Sequence, residues 1–467
     1  MNGLRNMLPR LPPLVMGNAM LHSICRSRLG VFAFVMFAGL VATGVARAQA
    51  DNYEAEPIRY SKSTPDNVIS QLQRRLDADK ARLKFEDHFG YLRSVLRELG
   101  VSTSTQTLVF SKTSLQRQKI TPDAPRSLYF NDDVYVGMCQ SGDVLEISAV
   151  DPQLGAVFYS LDQVETDRPK FVRQTDNCTT CHASSHTQGV PGHTIRSVFA
   201  DAEGYPILSA GSYRIDQTSP LEKRWGGWYV TGTHGKQTHL GNVAYRGTDT
   251  PRPIDDKNGL NRTTLRGEFD VSGFLTPHSD IAALMVLEHQ AEAHNLLTRA
   301  NFGTRQAVYY EAELNRELGE PATKRWESTG SRIKSVCEPL VRYLLMSEEA
   351  PLEEPLVGTS SFAAEFSKQG PHDSQGRSLR ELDLKRRLFK YPLSYLIYSK
   401  PFDALPAEAH AYIYRRLWDV LHGADAEGRE FRHLSAADRR AIVEIVCDTK
   451  AGLPDYWKRP SADDSAP

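Results

Sequence analysis

The stretch DVYVGMCQSGDVLEISAVDPQLGAVFYSL, residues 133–161, holds three short runs separated by turn chemistry. DVYVGM (133–138), VLEISAV (144–150) and AVFYSL (156–161) are rich in β-branched and aromatic residues, the side chains that suit a pleated surface. Ser141-Gly142-Asp143 and Asp151-Pro152 supply the turns between them. Runs this short, joined this tightly, predict an antiparallel meander. TLVF (107–110) adds a strand ahead of it; TIRSVF (194–199), YPILSA (205–210), RWGGWYV (224–230) and TTLRGEFDV (263–271) continue the pattern behind it. Residues 106–275 therefore read as a β-rich region, with a polar Pro/Gly loop at 246–262.

On either side the periodicity is helical. Within 51–105, Thr64 is an N-cap candidate with Pro65 behind it, and Ile69, Leu72, Leu76 and Leu83 recur at helical spacing up to a stop at Gly100. Residues 276–348 read as helices at 277–300, 303–318 and 331–348. The acidic Pro/Ser/Gly-rich stretch 349–378 reads as a linker or long surface loop. Residues 379–467 carry helices expected at 379–399, 406–422 and 435–448. The fold class is α+β: a helical N-terminal segment, an antiparallel β-rich middle and a helical C-terminal third.

The first 50 residues set the compartment. Arg5, Arg10, Arg26 and Arg28 precede the apolar run GVFAFVMFAGLVATGV (30–45), and Ala46, Ala48 and Ala50 follow, with no acidic residue throughout. That is the layout of a secretory signal peptide cleaved after Ala48 or Ala50, which predicts a periplasmic or otherwise exported protein. The 16-residue apolar run is shorter than the ~20 residues that span a bilayer, and no later segment is long enough. Losing five arginines and no acid takes the formal charge from −1 to −6, and no basic block suggests nucleic-acid binding. Beyond the leader stand Cys139, Cys178, Cys181, Cys337 and Cys447, too few for a disulfide scaffold. One stabilising disulfide, Cys337–Cys447, is expected.

The chemistry concentrates in NCTTCHASSHTQGVPGHTIRSVF, residues 177–199, where Cys178, Cys181 and His182 form C-x-x-C-H. Three chemistries compete for it. A zinc site would draw on Cys178, Cys181 and two of His182, His186 and His193, but Cys181 and His182 are adjacent and no second C-x-x-C exists. Thiol exchange prefers C-x-x-C beside a βαβ unit, and a meander precedes it here. The third chemistry is covalent attachment of haem, two thiols adding to the porphyrin vinyl groups and the next histidine facing the iron.

On Cys178, Cys181 and His182 the chain resembles the c-type cytochromes, and its overall pattern is similar to exported bacterial cytochrome c-like proteins. The resemblance implies one covalent haem c, His182 as proximal axial ligand, and one-electron chemistry at iron. It departs from the small helical cytochromes c: attachment is mid-chain, and the nearest downstream methionine, Met285, lies 103 residues past His182. Candidates for the distal ligand are His234 and His239 in THGKQTHLG, Met285, and His193 after Pro191-Gly192. Trp225, Trp228, Tyr229 and Phe199 are candidate haem walls, and Arg196 and Arg224 candidate propionate partners. The expected function is a monohaem electron carrier that docks a redox partner protein. The alternative is a peroxidase-like or small-ligand-activating haem enzyme, or a haem sensor, with an open distal site and His234 or His239 as catalytic groups.

Overall fold

The structure, a computed structural model, describes residues 52–245, 259–424 and 430–458. The expected signal peptide and most of the 246–262 loop lie outside these residues. The described chain is α+β, built on a seven-stranded antiparallel sheet. In order across the sheet stand the Trp228–Tyr229 strand, then β1 (Thr107–Val109), β2 (Arg126–Phe130), β3 (Val134–Met138), β4 (Val144–Asp151), β5 (Gly155–Asp162) and β6 (Phe171–Gln174). The meander read from 133–161 is β3 to β5, with Glu146 opposite Ser160 and Ser148 opposite Phe158.

Alternation assigns the two faces. Val134, Val136, Leu145, Ile147, Val157 and Leu161 point to one side, where they pack against helices Val68–Asp77 and Leu92–Glu98. Phe130, Tyr135 and Val150 point to the other, into the larger core around a 38-residue helix, Ile281–Leu318. Both faces are covered, which is why β3 is buried at every position.

This central helix is about 57 Å long at 1.5 Å per residue. Asp280 starts it: Oδ1 accepts from Ala282 N and Ala283 N, while Oδ2 accepts from Thr359 N, Ser360 N and Ser360 Oγ. Gly319, left-handed at φ 66°, ends it. The sequence suggested two helices with a break near 301, and the chain instead runs straight through Gly303. A Cβ there would lie 2.7 Å from Val336 Cγ1, so this glycine serves the close approach of helix Glu327–Leu344.

Other expectations change for equally local reasons. The N-cap of the first helix is Asn67, whose Oδ1 accepts from Ile69 N and Ser70 N, in place of Thr64. Residues 379–399 form turns ending in a 3-10 turn at Tyr395–Tyr398; Pro392 interrupts them, and their apolar side chains enter the core from a folded-back loop. Residues 349–378 contribute Leu352, Leu356, Phe362 and Phe366 to the core, and Val357–Gly358 pairs with Gly232–Thr233, so this stretch is packed chain and no free linker. Helices Ala407–Leu421 and Ala436–Thr449 close the fold.

The Cys337–Cys447 disulfide is not formed. Cys337 is buried against the central helix, 3.9 Å from Thr304 Oγ1, whereas Cys447 faces the C-terminal turn and donates to Trp457 O at 3.1 Å. Among the described residues no helix is long and apolar enough to cross a membrane.

Asp280 ties the helix start to residues 359–360 through five hydrogen bonds, two from the first helical turn, two from the 359–360 backbone and one from the Ser360 hydroxyl. Asp280→Ala is therefore expected to cost about 3 kcal/mol of unfolding free energy in urea titration, and Asp280→Asn about half of that. A loss below about 1 kcal/mol for the alanine variant would show that the anchor is dispensable.

Candidate haem-binding site

The motif begins where β6 ends. Thr179 Oγ1 donates to Thr175 O at 2.6 Å and Thr180 Oγ1 to Asp176 O at 3.0 Å, which starts a single helical turn, Thr179–His182. Cys178, Cys181 and His182 stand at i, i+3 and i+4 of that turn, so the two thiols and the imidazole share one side. Cys178 is half-buried, Cys181 exposed, and both are free.

Behind the turn the chain doubles back. Gly192 N donates to His182 O at 2.8 Å, and His182 Nδ1 lies 3.0 Å from Gly192 O. A carbonyl only accepts, so Nδ1 carries the proton and the neutral ring keeps its lone pair on Nε2. Burial holds the His182 pKa below the usual histidine value, which favours that neutral, ligating form. Metal-bound histidines commonly have this arrangement, one nitrogen for the metal and the other donating to a backbone carbonyl. The residues present thus fit a haem c: two adjacent free thiols, and an imidazole with its tautomer fixed.

The floor of the site is the face of the sheet opposite the N-terminal helices. Phe158 lies 5.0 Å, centroid to centroid, from the His182 ring. Glu146, one pleat along β4 from Ser148, pairs with Arg126 at 2.7 Å, and this pair bears electrostatically on Cys178 and His182. Burial is the main cause that pushes the Cys178 thiol up to about 11.

His193 follows Gly192 directly and is 8 % exposed. Its ring lies 4.3 Å from that of Tyr135, its Nε2 is 2.8 Å from Ser148 Oγ, and its Nδ1 has no partner. Gln290 Nε2 donates to Tyr135 OH at 3.0 Å, so the phenol's own proton goes to His294 Nδ1, 2.9 Å away. His294 Nε2 is buried and unpartnered on a ring 6.2 Å from that of His193. Of the distal candidates, His193 alone comes close to His182, and its backbone lies on the Nδ1 side of that ring, away from Nε2.

The others gather elsewhere. His234 and His239 face each other at 4.8 Å, and His239 meets Trp225 at 5.4 Å. His234 Nε2 accepts from Asn261 N, and His239 Nδ1 from Gly241 N. Their loop adjoins Ile281 at the start of the central helix through Gly232, whereas Gly192 adjoins Asn295, about 21 Å further along the axis. Met285 is a core residue on the same helix, ten positions before Asn295 and so about 15 Å away. Arg224 is committed to a buried ion pair with Glu288, Trp225 is fully buried, and Trp228 and Tyr229 form the edge of the sheet. Phe199 meets Tyr245 edge-on, and Arg196 donates to Ser212 Oγ at 2.7 Å. Sequence reasoning missed Phe158, the Arg126–Glu146 pair and the Gly192 carbonyl. The Pro191-Gly192 step before His193 was the one signal of a tight backbone approach.

Among the described residues no group of three or more His, Cys, Asp or Glu is gathered as a metal-ligand cluster. No protein-family model matches the chain, and neither a curated protein nor a solved structure is significantly similar to it.

Buried imidazoles make the fold acid-sensitive. Burial depresses His239, His289 and His294 to about 3, against an unfolded value near 6.5. Between those values the unfolded chain binds protons that the folded chain refuses, so stability is full above pH 6.5 and falls as pH drops. Three such groups give a slope of about 4 kcal/mol per pH unit once the pH is well below about 6.5. Urea unfolding at about pH 7, 6 and 5 measures it, and a flat profile would mean these rings are solvated in solution.

Proposed function

We propose that the chain carries one haem c, held by thioethers from Cys178 and Cys181 and ligated at iron by His182 Nε2, and that it serves as an exported one-electron carrier. The observation behind this reading is the His182 Nδ1 to Gly192 O hydrogen bond, which leaves Nε2 bare beside two free thiols on one helical turn. When bound, the group supplies a one-electron iron couple. The chain's own residues do the rest. The Gly192 carbonyl fixes the tautomer of His182 and raises the basicity of its Nε2. Phe158 packs 5.0 Å from the ring, and burial lowers the pKa of the imidazole, which favours its neutral form. Cys181 is solvent-exposed, which suits a group whose edge meets a redox partner protein. The leader read in residues 1–50 supplies the exported location this attachment chemistry requires.

A second reading is favoured by one placement. His234, His239 and Met285 lie about 15–21 Å from Asn295 toward the start of the central helix, so none of the three would reach a group held by Cys178, Cys181 and His182, and a small exogenous ligand could bind there, as in a haem enzyme or sensor.

Protein matured with a cytochrome c assembly system separates these outcomes. Haem-stained denaturing gels are expected to show covalent haem in the wild type and none in Cys178→Ala/Cys181→Ala. His182→Ala should keep the stain and lose the low-spin spectrum. A reduced spectrum untouched by carbon monoxide supports the carrier, and rapid carbon monoxide binding supports the open site. Absence of covalent haem from the wild type would end both readings.

A further inference from the structure

The return loop that carries Gly192 is held by the central helix from above. Asn295 is fully buried, its Oδ1 accepting from His193 N at 2.7 Å and its Nδ2 donating to His193 O at 2.7 Å. The same Nδ2 donates to Glu292 Oε2 at 3.0 Å. At the other end of the loop, Gln188 Nε2 donates to Glu292 Oε1 at 2.7 Å and Gln188 Oε1 accepts from Arg299 at 3.0 Å. Glu292, Asn295 and Arg299 stand at i, i+3 and i+7, one face of the helix, so a single rigid element grips both ends of the loop. The fit leaves no slack: a Cβ on Gly192 would run into the Asn295 side chain, with Cγ at 2.9 Å.

We infer that Asn295 is a positioning residue for the iron ligand, acting through Gly192 on His182. It rests on the haem reading above and goes beyond it, since it assigns the control of the proximal histidine to a helix residue remote in sequence. The peptide joining Gly192 to His193 has its carbonyl on His182 Nδ1 and its N–H on Asn295 Oδ1. One planar unit therefore transmits the position of the helix to the imidazole, because the peptide cannot twist to satisfy one partner without moving the other. With the amide of Asn295 gone, both backbone groups of His193 would lose their partners in a buried place, and the Gly192 carbonyl would be free to turn from the ring. A weaker Nδ1 hydrogen bond makes His182 a weaker donor, which disfavours ferric iron more than ferrous.

The test is the midpoint potential of the matured holoprotein, with the haem stain as a check on attachment. Asn295→Ala is expected to lose about tenfold in ferric over ferrous stabilisation, a rise of about 59 mV for a one-electron couple. Gly192→Ala, which presses on the same contact from the loop side, should move the potential in the same direction. Asn295→Leu keeps the size without charge and removes both hydrogen bonds to His193, and serves if the alanine variant does not fold; its potential should rise in the same way. Asn315→Ala is the control for general loosening. Asn315 is equally buried and hydrogen-bonded to Lys324 O and Trp326 Nε1, but lies about 30 Å further along the helix, so its potential should stay at the wild-type value. An unchanged potential in the Asn295 variants with haem attached overturns the inference, as does an equal shift in Asn315→Ala. Missing haem in the wild type is a different result, because it removes the cofactor reading on which the inference rests.

Discussion

Between Glu288 and Asn295 the central helix passes through the interior carrying Glu288, His289, Gln290, Glu292, His294 and Asn295, all at least nine-tenths buried. A polar group taken out of water without a partner costs several times what a hydrogen bond contributes, so each of these side chains constrains something else. Glu288 takes Arg224; His289 takes Gln217 and Ser394; Gln290 takes the Asn131 carbonyl, Tyr135 and Tyr395. Glu292 takes Gln188, His294 takes Tyr135, and Asn295 takes His193. The partners come from the sheet, the motif loop, the aromatic run and the C-terminal third. An all-leucine helix could slide or rotate at little cost. This one has a single register in which those pairings close together.

That constraint also explains what the sequence concealed. The meander was legible because turn residues mark its ends and both sheet faces are buried, a strong local signal at Ser141-Gly142-Asp143 and Asp151-Pro152. The central helix was legible as helix and misread in length. It has protein on every side over its first half, so no single apolar stripe defines it; it runs on past 301 without a break, and Gly303 is a contact point for Val336. Residues 379–399 failed in the opposite way. Their apolar spacing imitates a helix, yet Leu379, Leu388, Phe389 and Leu393 reach the core from turns, and Pro392 precludes a continuous helix.

At the site, the legible part was the part written in adjacent residues. C-x-x-C-H is a local geometry, and one helical turn is enough to bring its three side chains to one side. The groups that orient it are distant or lack a side-chain signature. Gly192 acts through its carbonyl, and Asn295 is 102 residues from the His193 it grips. Of the histidines in THGKQTHLG, His234 stands beside Gly235, and a glycine there would let the backbone approach a cofactor closely. Gly235, at φ 65°, admits Glu354 instead: a Cβ there would collide with its carboxylate, which accepts from Lys236 N at 3.0 Å.

Under the proposed reading, electron transfer would favour a ligand whose surroundings need not rearrange when the charge on iron changes, and the order of construction here would suit that need. The tautomer of His182 is set by a backbone carbonyl, and the carbonyl belongs to a peptide held on the helix by Asn295. Nearby charge comes as the Arg126–Glu146 pair, which cancels at a distance and is itself braced across the sheet. His193 and His294 stay neutral because burial lowers their pKa values, so they add dipoles without adding charge. Donors and dipoles fixed by the fold do not reorganise on the timescale of a charge change. Under the proposed haem reading, the long polar helix then bears on the iron as well as on stability: the pairings that choose its register also hold the ligand still.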